Sequence, residues 1–508
     1  MNVRNTWQKT TVVLSAMFCL AVAPLFAHEV RIEHVTVVSP ERAGPLRDVT
    51  VRIQDDRIVA IGRSGRPAGD SPDVEIIQGK GLYLAPGLID SHVHSDLPGI
   101  EDAQEKANPA VARSMREQQP RSILYFGFTT IVDLIGLRET TDAWNALPVR
   151  PDRYFCGAAE IPGGYPPIQF LAEPNRRALN EYMIIQSGEE SSAPEGIDPK
   201  THTPEAVVTR MKADGAICTK TFYERGYGEV DTMRAPRLDT IRALVEAAHA
   251  AGLPVLMHAN STDGQEFAVA TGVDIIAHGM WHWQREPRAT ELTPRATRIL
   301  NDVLKANIGW QPTMQVLYGL QDLFNLRYLS DPAIAHVVPQ NVIAWYGTPE
   351  GQWYRDQLAP ELLPKSALDS HDPQVRWDAV RASLSAPITR NKNAIRYMVA
   401  HGARILFGTD TPSAPTYANP PGLNGWLEIQ HLRDVGLTPR QIFVAATEAN
   451  AKALRLDRDI GTVQPGKLAN LLLLREDPTQ TIQAYDGIVK VIVRGKVFDR
   501  EALAADAH

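Results

Sequence analysis

Two histidines stand two residues apart at the end of an apolar run, His92 and His94 in "GLIDSHVHSD". In a β-strand, residues i and i+2 project from the same face with Cα atoms about 6.6 Å apart, so both imidazoles would enter one space. A bare H-x-H also suits two unrelated turn histidines, and the other strand ends must decide. Lys220 lies in "ICTKTFY", His258 ends "PVLMHAN", His278 ends "VDIIAHG" and Asp410 ends "ILFGTD". Singly, each has a bland reading as a cap, a satisfied histidine or an exposed lysine. Together they place four imidazoles, an amine and a carboxylate after apolar runs of strand type. Imidazole and carboxylate are the ligands that divalent ions such as Zn²⁺ take, and a catalytic site keeps a position for water. Six positions exceed what one tetrahedral ion uses, so the set predicts two metal ions. Lys220 is an odd ligand as an amine, but as a carbamate formed with CO₂ it becomes a carboxylate able to bridge them.

Such residues work together only if the fold brings the strand ends to one place. From Gly87 to about Leu456, apolar runs alternate with helical stretches: "GFTTIVDLI", "GAICTKTFY", "RLDTIRALVEAAHAAG", "PVLMHAN", "VDIIAHG", "IGWQPTM" and "ARILFGTD". Strands alternating with helices imply parallel βαβ units, and this many favour a closed barrel whose C-terminal mouth carries the chemistry. Before Gly87 and after Leu456 the pattern is β alone, in "RIEHVTVVS", "DVTVRIQDDRIVAIG", "VEIIQGKGLYLAPG" and "GTVQPGKLANLLLL". The expected organisation is α/β: a β-domain built from both chain ends (28–86 and 456–508) flanking a barrel (87–455). Within the barrel an aromatic, proline-rich insertion at about 315–389 resists the pattern. It reads as a substrate lid, since apolar walls suit a small-molecule pocket, or as an oligomer contact, which leaves a homo-oligomer open.

The first residues carry Arg4 and Lys9, no acidic residue, and the run "TVVLSAMFCLAVAPLFA" ending at Ala27. That is the layout of a secretory signal peptide over 1–27, too short and too interrupted by Pro24 for a membrane anchor. It predicts an exported, periplasmic or secreted enzyme beginning near His28, with no stable membrane insertion after cleavage. Loss of Arg4 and Lys9 takes the net charge from -7 to -9. So acidic a chain is a poor partner for nucleic acid or anionic membranes and points to a small-molecule substrate. Of three cysteines, Cys19 falls in the leader. Cys156 and Cys218 are too few for a disulfide framework and read as two buried thiols, with a single bridge in an oxidising periplasm as the alternative.

With these residues in place, the chain resembles the amidohydrolase superfamily, and within it the imidazolonepropionase-like and prolidase-like metal-dependent hydrolases. "APGLIDSHVH", "FGFTTIVD", "GAICTK", "EAAHAAGLPVLMHA", "GVDIIAHG", "ILFGTD", "GLTPRQIFVAATEANAKALRL" and "GTVQPGKLANLLLL" follow in that family's order. The resemblance implies a distorted TIM (β/α)8 barrel with a small composite β-sandwich. It implies one metal bound by His92, His94 and Asp410, a carbamate on Lys220 as bridge, and a second metal bound by His258 and His278, with zinc the expected ion. Asn470 departs from the pattern, where relatives carry Asp, and is expected to be structural.

The activity implied is hydrolysis of an amide C–N bond in a small molecule, such as an N-acyl amino acid, a dipeptide or a cyclic amide. Asp410 would move the proton, and His278 or His282 would help bind the oxyanion or substrate. Tyr223 and Arg225, just beyond Lys220, are placed to meet a substrate carbonyl or carboxylate, while His249 lies on a helix and reads as structural. Deaminases on this fold use one metal and lack the lysine bridge, so Lys220 argues against them. Lactones and esters stay open as substrates. A non-catalytic metal-binding protein predicts a missing ligand, and none is missing.

Overall fold

Short, β-branched strands carry both chain ends and the wall of the middle. In the computed structural model, which describes residues 28–65, 74–96, 100, 102–167, 171, 173–226, 232–325, 327–413 and 417–506, the chain enters as β1 (Glu29–Val37), β2 (Leu46–Gln54), β3 (Arg57–Arg63), β4 (Val74–Gln78) and β5 (Tyr83–Pro86). Parallel strands follow: β6 (Leu88–Val93), β7 (Phe128–Asp133), β8 (Asp152–Ala159), β9 (Cys218–Phe222), β10 (Val255–His258), β11 (Ile275–Ala277) and β12 (Gly309–Gln311). The chain ends in β13 (Leu471–Leu474), β14 (Ile488–Val493) and β15 (Lys496–Asp499). The segment read as a leader lies outside the described residues. No helix among the described residues is long and apolar enough to cross a membrane.

The end strands form one eight-stranded mixed sheet in the order β15-β14-β13-β5-β1-β2-β3, with β4 also paired to β1. This is a single sheet folded over its own core, where a composite sandwich is the expectation. A bulge in β1 helps it turn. Val30 and Ile32 face the sheet core, the register with β2 breaks between Ile32 and Val35 where His34 takes a left-handed φ of 57°, and Val35 and Val37 resume the same face. The run "LLLL" of β13 is buried on both sides. Leu471 and Leu473 fill the sheet core, and Leu472 and Leu474 pack on the parallel half of the molecule. Between Pro86 of β5 and Leu88 of β6 the chain passes from one sheet to the other.

The parallel sheet runs β12-β11-β10-β9-β8-β7-β6 and curls until its edges meet one segment. Residues 404–411 bond β12 on one side (Trp310 N to Arg404 O, 3.0 Å; Leu406 N to Trp310 O, 2.9 Å) and β6 on the other (Asp410 N to His92 O, 2.8 Å). Of the eight strands that a (β/α)8 barrel expects, seven are regular. The eighth place is held by isolated bridges, Trp310 with Ile405 and Val93 with Thr411. Helices such as Pro204–Ala213 and Pro294–Lys305 cover the sheet, each started by a threonine cap followed by proline.

The 315–389 insertion is a set of helices, including Gln315–Asp322, Gln340–Tyr346 and Trp353–Leu362, and its last helix, Pro373–Ala400, runs past 389 into the segment that bears Asp410. Its prolines break little because several sit at helix starts: Pro332 and Pro373 in the first turn, Pro339 and Pro364 as caps. Tyr328, Trp345 and Tyr346 are buried in the main core. The reading of Cys156 and Cys218 as two buried thiols is corrected: they form a disulfide, the alternative reading. In-register pairing of β8 with β9 sets them opposite each other with Cα atoms 4.5 Å apart, within the span a bridge requires.

Candidate metal centre

β6 delivers His92 fully buried at its end and His94 just beyond it. Asp410 reaches both. Its Oδ1 lies 2.9 Å from His92 Nε2 and 3.0 Å from His94 Nε2. Two features of the 404–411 segment make this possible. Asp410 has a left-handed φ of 62°, which turns the chain out of the strand, and its N–H and that of His94 (to Thr411 O, 2.9 Å) zip the segment to β6. Gly408 lets the backbone come close, since a Cβ there would stand 2.7 Å from His92 Cβ.

Asp90 ties the same two segments from below. It accepts the N–H of His92 (3.2 Å), the N–H of Thr409 (3.1 Å) and the Thr409 hydroxyl (2.6 Å). Burial nevertheless pushes its carboxyl up to about 7. Sequence reasoning passed over Asp90, although an acid two residues before His92 on the same strand face is a visible signal.

The remaining predicted ligands adjoin this cluster. The His278 ring centroid is 5.0 Å from that of His92 and 4.5 Å from that of His258. His278, at φ 82°, is fixed through Nδ1 by the Thr313 hydroxyl at 2.9 Å. Lys220 is buried on β9, flanked in register by Ala158 of β8 and Leu256 of β10. His258 closes β10, with Tyr165 lying on its ring at 4.3 Å and Glu224 Oε2 at 3.3 Å from Nε2. Glu224 was missed in the sequence, where attention fell on its neighbours. Of those, Tyr223 sets its ring on Phe267 at 4.5 Å and donates its N–H to His258 O, and Arg225 donates its N–H to Glu224 Oε1. His282 follows Trp281 with its N–H on Asn260 O. Burial takes its ring down to about 4 against the pull of Glu224. His249 is on the outer helix Leu238–Ala250, bound to Asp274 at 2.9 Å.

The electrostatics suit cations. Burial drives His92 down to about 3 and His278 well below the ordinary imidazole value, so their nitrogens keep lone pairs. Burial works against charge on Asp410, yet His92 and His278 hold it well below the usual carboxylate range. Lys220 is brought down to about 7 by burial, opposed by Asp410. Nδ1 of His92 and Nδ1 of His94 are buried without a hydrogen-bond partner. Buried polar atoms ordinarily have one. Ligand atoms of His92, His94 and Asp410 lie within 4.8 Å of one another, so these residues fit a metal ion.

Residues 358–498 match the model of the Amidohydrolase family. The chain carries an amidohydrolase-family segment. It is similar to the D-hydantoinase of Streptomyces coelicolor, 33% identical over 103 residues, covering 19% of this chain and 20% of that protein. It is also similar to adenine deaminase 1 of Desulfotalea psychrophila, 52% identical over 108 residues, covering 21% of this chain and 17% of that protein. Each match thus spans a fifth or less of the curated relative's own length. Over the whole molecule, the chain superposes on a crystal structure of a Xaa-Pro dipeptidase with methionine bound in its active site. The TM-score is 0.63 at 19% identity, covering 93% of this chain and all of that one, a likeness of fold.

Proposed function

We propose that this chain is a metal-dependent hydrolase that cleaves an amide C–N bond of a small molecule, such as an N-acyl amino acid, a dipeptide or a cyclic amide. One observation carries the reading: His92 and His94 meet the Asp410 carboxylate in a buried cluster in which Nδ1 of both rings lacks a hydrogen-bond partner, with Lys220, His258 and His278 beside it. The D-hydantoinase among the similar proteins supports an amide substrate, and the adenine deaminase supports deamination as the alternative on the same fold.

His92, His94 and Asp410 would hold one divalent ion, zinc being the proposed one. His258, His278 and a Lys220 carbamate would hold a second. Bound there, such ions supply a Lewis acid for the scissile carbonyl and lower the pKa of water. The rest belongs to the chain. Asp410, fixed through Oδ1 and its own N–H, presents its other oxygen as the base that takes the proton of the attacking water and returns it to the leaving amine. His278 is clamped by Thr313, so its ring has one orientation toward the substrate. Carbamate formation needs a neutral amine, and burial of Lys220 favours that form. Export is part of the proposal, supported by the Cys156–Cys218 bridge, since disulfides persist in oxidising compartments.

The test pairs a screen with a variant. Mature protein prepared with zinc and bicarbonate is assayed on N-acyl amino acids, dipeptides, cyclic amides and lactones, with metal content by elemental analysis. Two ions per chain and turnover of an amide are expected. In Asp410→Asn, kcat should fall by about 10² to 10⁴ with the fold retained, the range that general acid–base help supplies. Turnover of lactones alone would move the substrate class to esters. An Asp410→Asn variant within tenfold of wild type, with metals loaded, would remove Asp410 from proton transfer.

A further inference from the structure

One ring nitrogen of His258 is committed before any ligand is considered. Its Nε2 lies 3.3 Å from Glu224 Oε2. Glu224 is itself fixed, because Oε1 accepts the N–H groups of Arg225 and Gly226, each at 2.9 Å, which leaves Oε2 to face the imidazole. The carboxylate side chain is wholly buried, and the His258 ring is sandwiched by Tyr165 (4.3 Å) and His278 (4.5 Å, edge to face), so neither partner has room to turn away. A carboxylate only accepts, so it selects the tautomer with hydrogen on Nε2 and a lone pair on Nδ1. Asn260 approaches the same Nε2 at 3.3 Å. With its amide turned, Asn260 Oδ1, which lacks a partner in the other orientation, accepts the same hydrogen.

We propose that Glu224 is a positioning residue that locks His258 in the Nε2–H tautomer and thereby delivers Nδ1 as the nitrogen available to a cation. This rests on the reading of His258 as a metal ligand. Histidine ligands ordinarily donate their second ring N–H to a carboxylate or carbonyl, which fixes the ring and raises its basicity. His278 is the converse case, with Nδ1 engaged by Thr313 and Nε2 left for the site. Two adjoining rings thus present opposite nitrogens.

Glu224→Gln tests the idea sharply. The backbone N–H groups of Arg225 and Gly226 still require an oxygen, so the amide nitrogen is left facing His258 and donates, which reverses the tautomer. Full-length protein labelled with ¹⁵N-histidine is compared, metal-free, by long-range ¹H–¹⁵N correlation, and zinc is then titrated by competition with a chelator of known affinity. Expected are Nε2–H on His258 in wild type, Nδ1–H in Glu224→Gln, and about 10 to 100-fold weaker binding of the second zinc with the first unchanged, the range seen when a ligand's outer partner is lost. Nδ1–H on His258 in wild type overturns the proposal, as does unchanged affinity for both ions in the variant. If Glu224→Gln does not fold, the wild-type tautomer decides alone. Wild type that binds no zinc would remove the metal reading, while the metal-free tautomer still reports on Glu224.

Discussion

A carboxyl group inside a protein is held charged or neutral by what faces it, and both cases occur near this site. Asp410 faces imidazoles and stays charged. Glu160, just beyond β8, has Oε2 buried with no partner, and burial pushes it from 4.5 up to about 8. Its folded pKa therefore lies above its unfolded one, and the native state binds more protons than the unfolded state between those values. Stability from this group is complete below about pH 4.5 and is lost as pH rises through about 8. Glu160→Gln, neutral at every pH, should match wild type near pH 4 and exceed it near pH 9. Urea midpoints at both pH values check this, and a difference independent of pH would show that ionisation is not its source.

At the scale of elements, β9 carries Lys220 two residues past the bridge that ties it to β8. The cysteines are 62 residues apart, so the bridge closes a long loop in the unfolded chain. The double variant Cys156→Ala/Cys218→Ala should lose about 2 to 4 kcal/mol, the typical worth of such a link. Denaturant unfolding of the oxidised wild type and the variant measures it. A loss well under 1 kcal/mol would mean that neighbouring strand pairing already restrains this region. The sequence left the bridge only as an alternative to two thiols, because two cysteines in a long chain carry no register, and only the parallel pairing of β8 with β9 sets them opposite.

Across the whole molecule, the proposed ligands come from β6, β9, β10, the residue after β11, and the 404–411 segment, so bound ions would link distant parts of one curled sheet. Ligands that bind only the folded state stabilise it by about 4 kcal/mol at a thousandfold excess over Kd. Treatment with a strong chelator should therefore lower the melting temperature and abolish activity together, and zinc with bicarbonate should restore both. A melting temperature indifferent to chelation would mean that the fold holds the cluster unaided. Asn470 belongs to this scale too. It joins the two sheets by giving Nδ2 to Asp152 at 3.0 Å and accepting the N–H of Arg494, a place where an ionised aspartate would face the Asp152 carboxylate.

Composition and pattern alone determined the β ends, the α/β middle and the strand-end positions of His92, His94, Lys220, His258, His278 and Asp410. These are local properties: an apolar run long enough for a strand, and a polar residue where it stops. Tertiary structure alone decided which of these residues touch. Asp410 meets His92 and His94 because a left-handed turn and backbone bonds zip residues 404–411 to a strand more than three hundred positions earlier. Glu224 and Asp90 gained their parts the same way, since a buried carboxylate has no role until its partner is known. The insertion at 315–389 is instructive for the opposite reason. Its aromatic, proline-rich composition broke the strand–helix pattern without saying what replaces it, yet proline is tolerated where helices begin, and the structure sets Pro332, Pro339, Pro364 and Pro373 at helix starts.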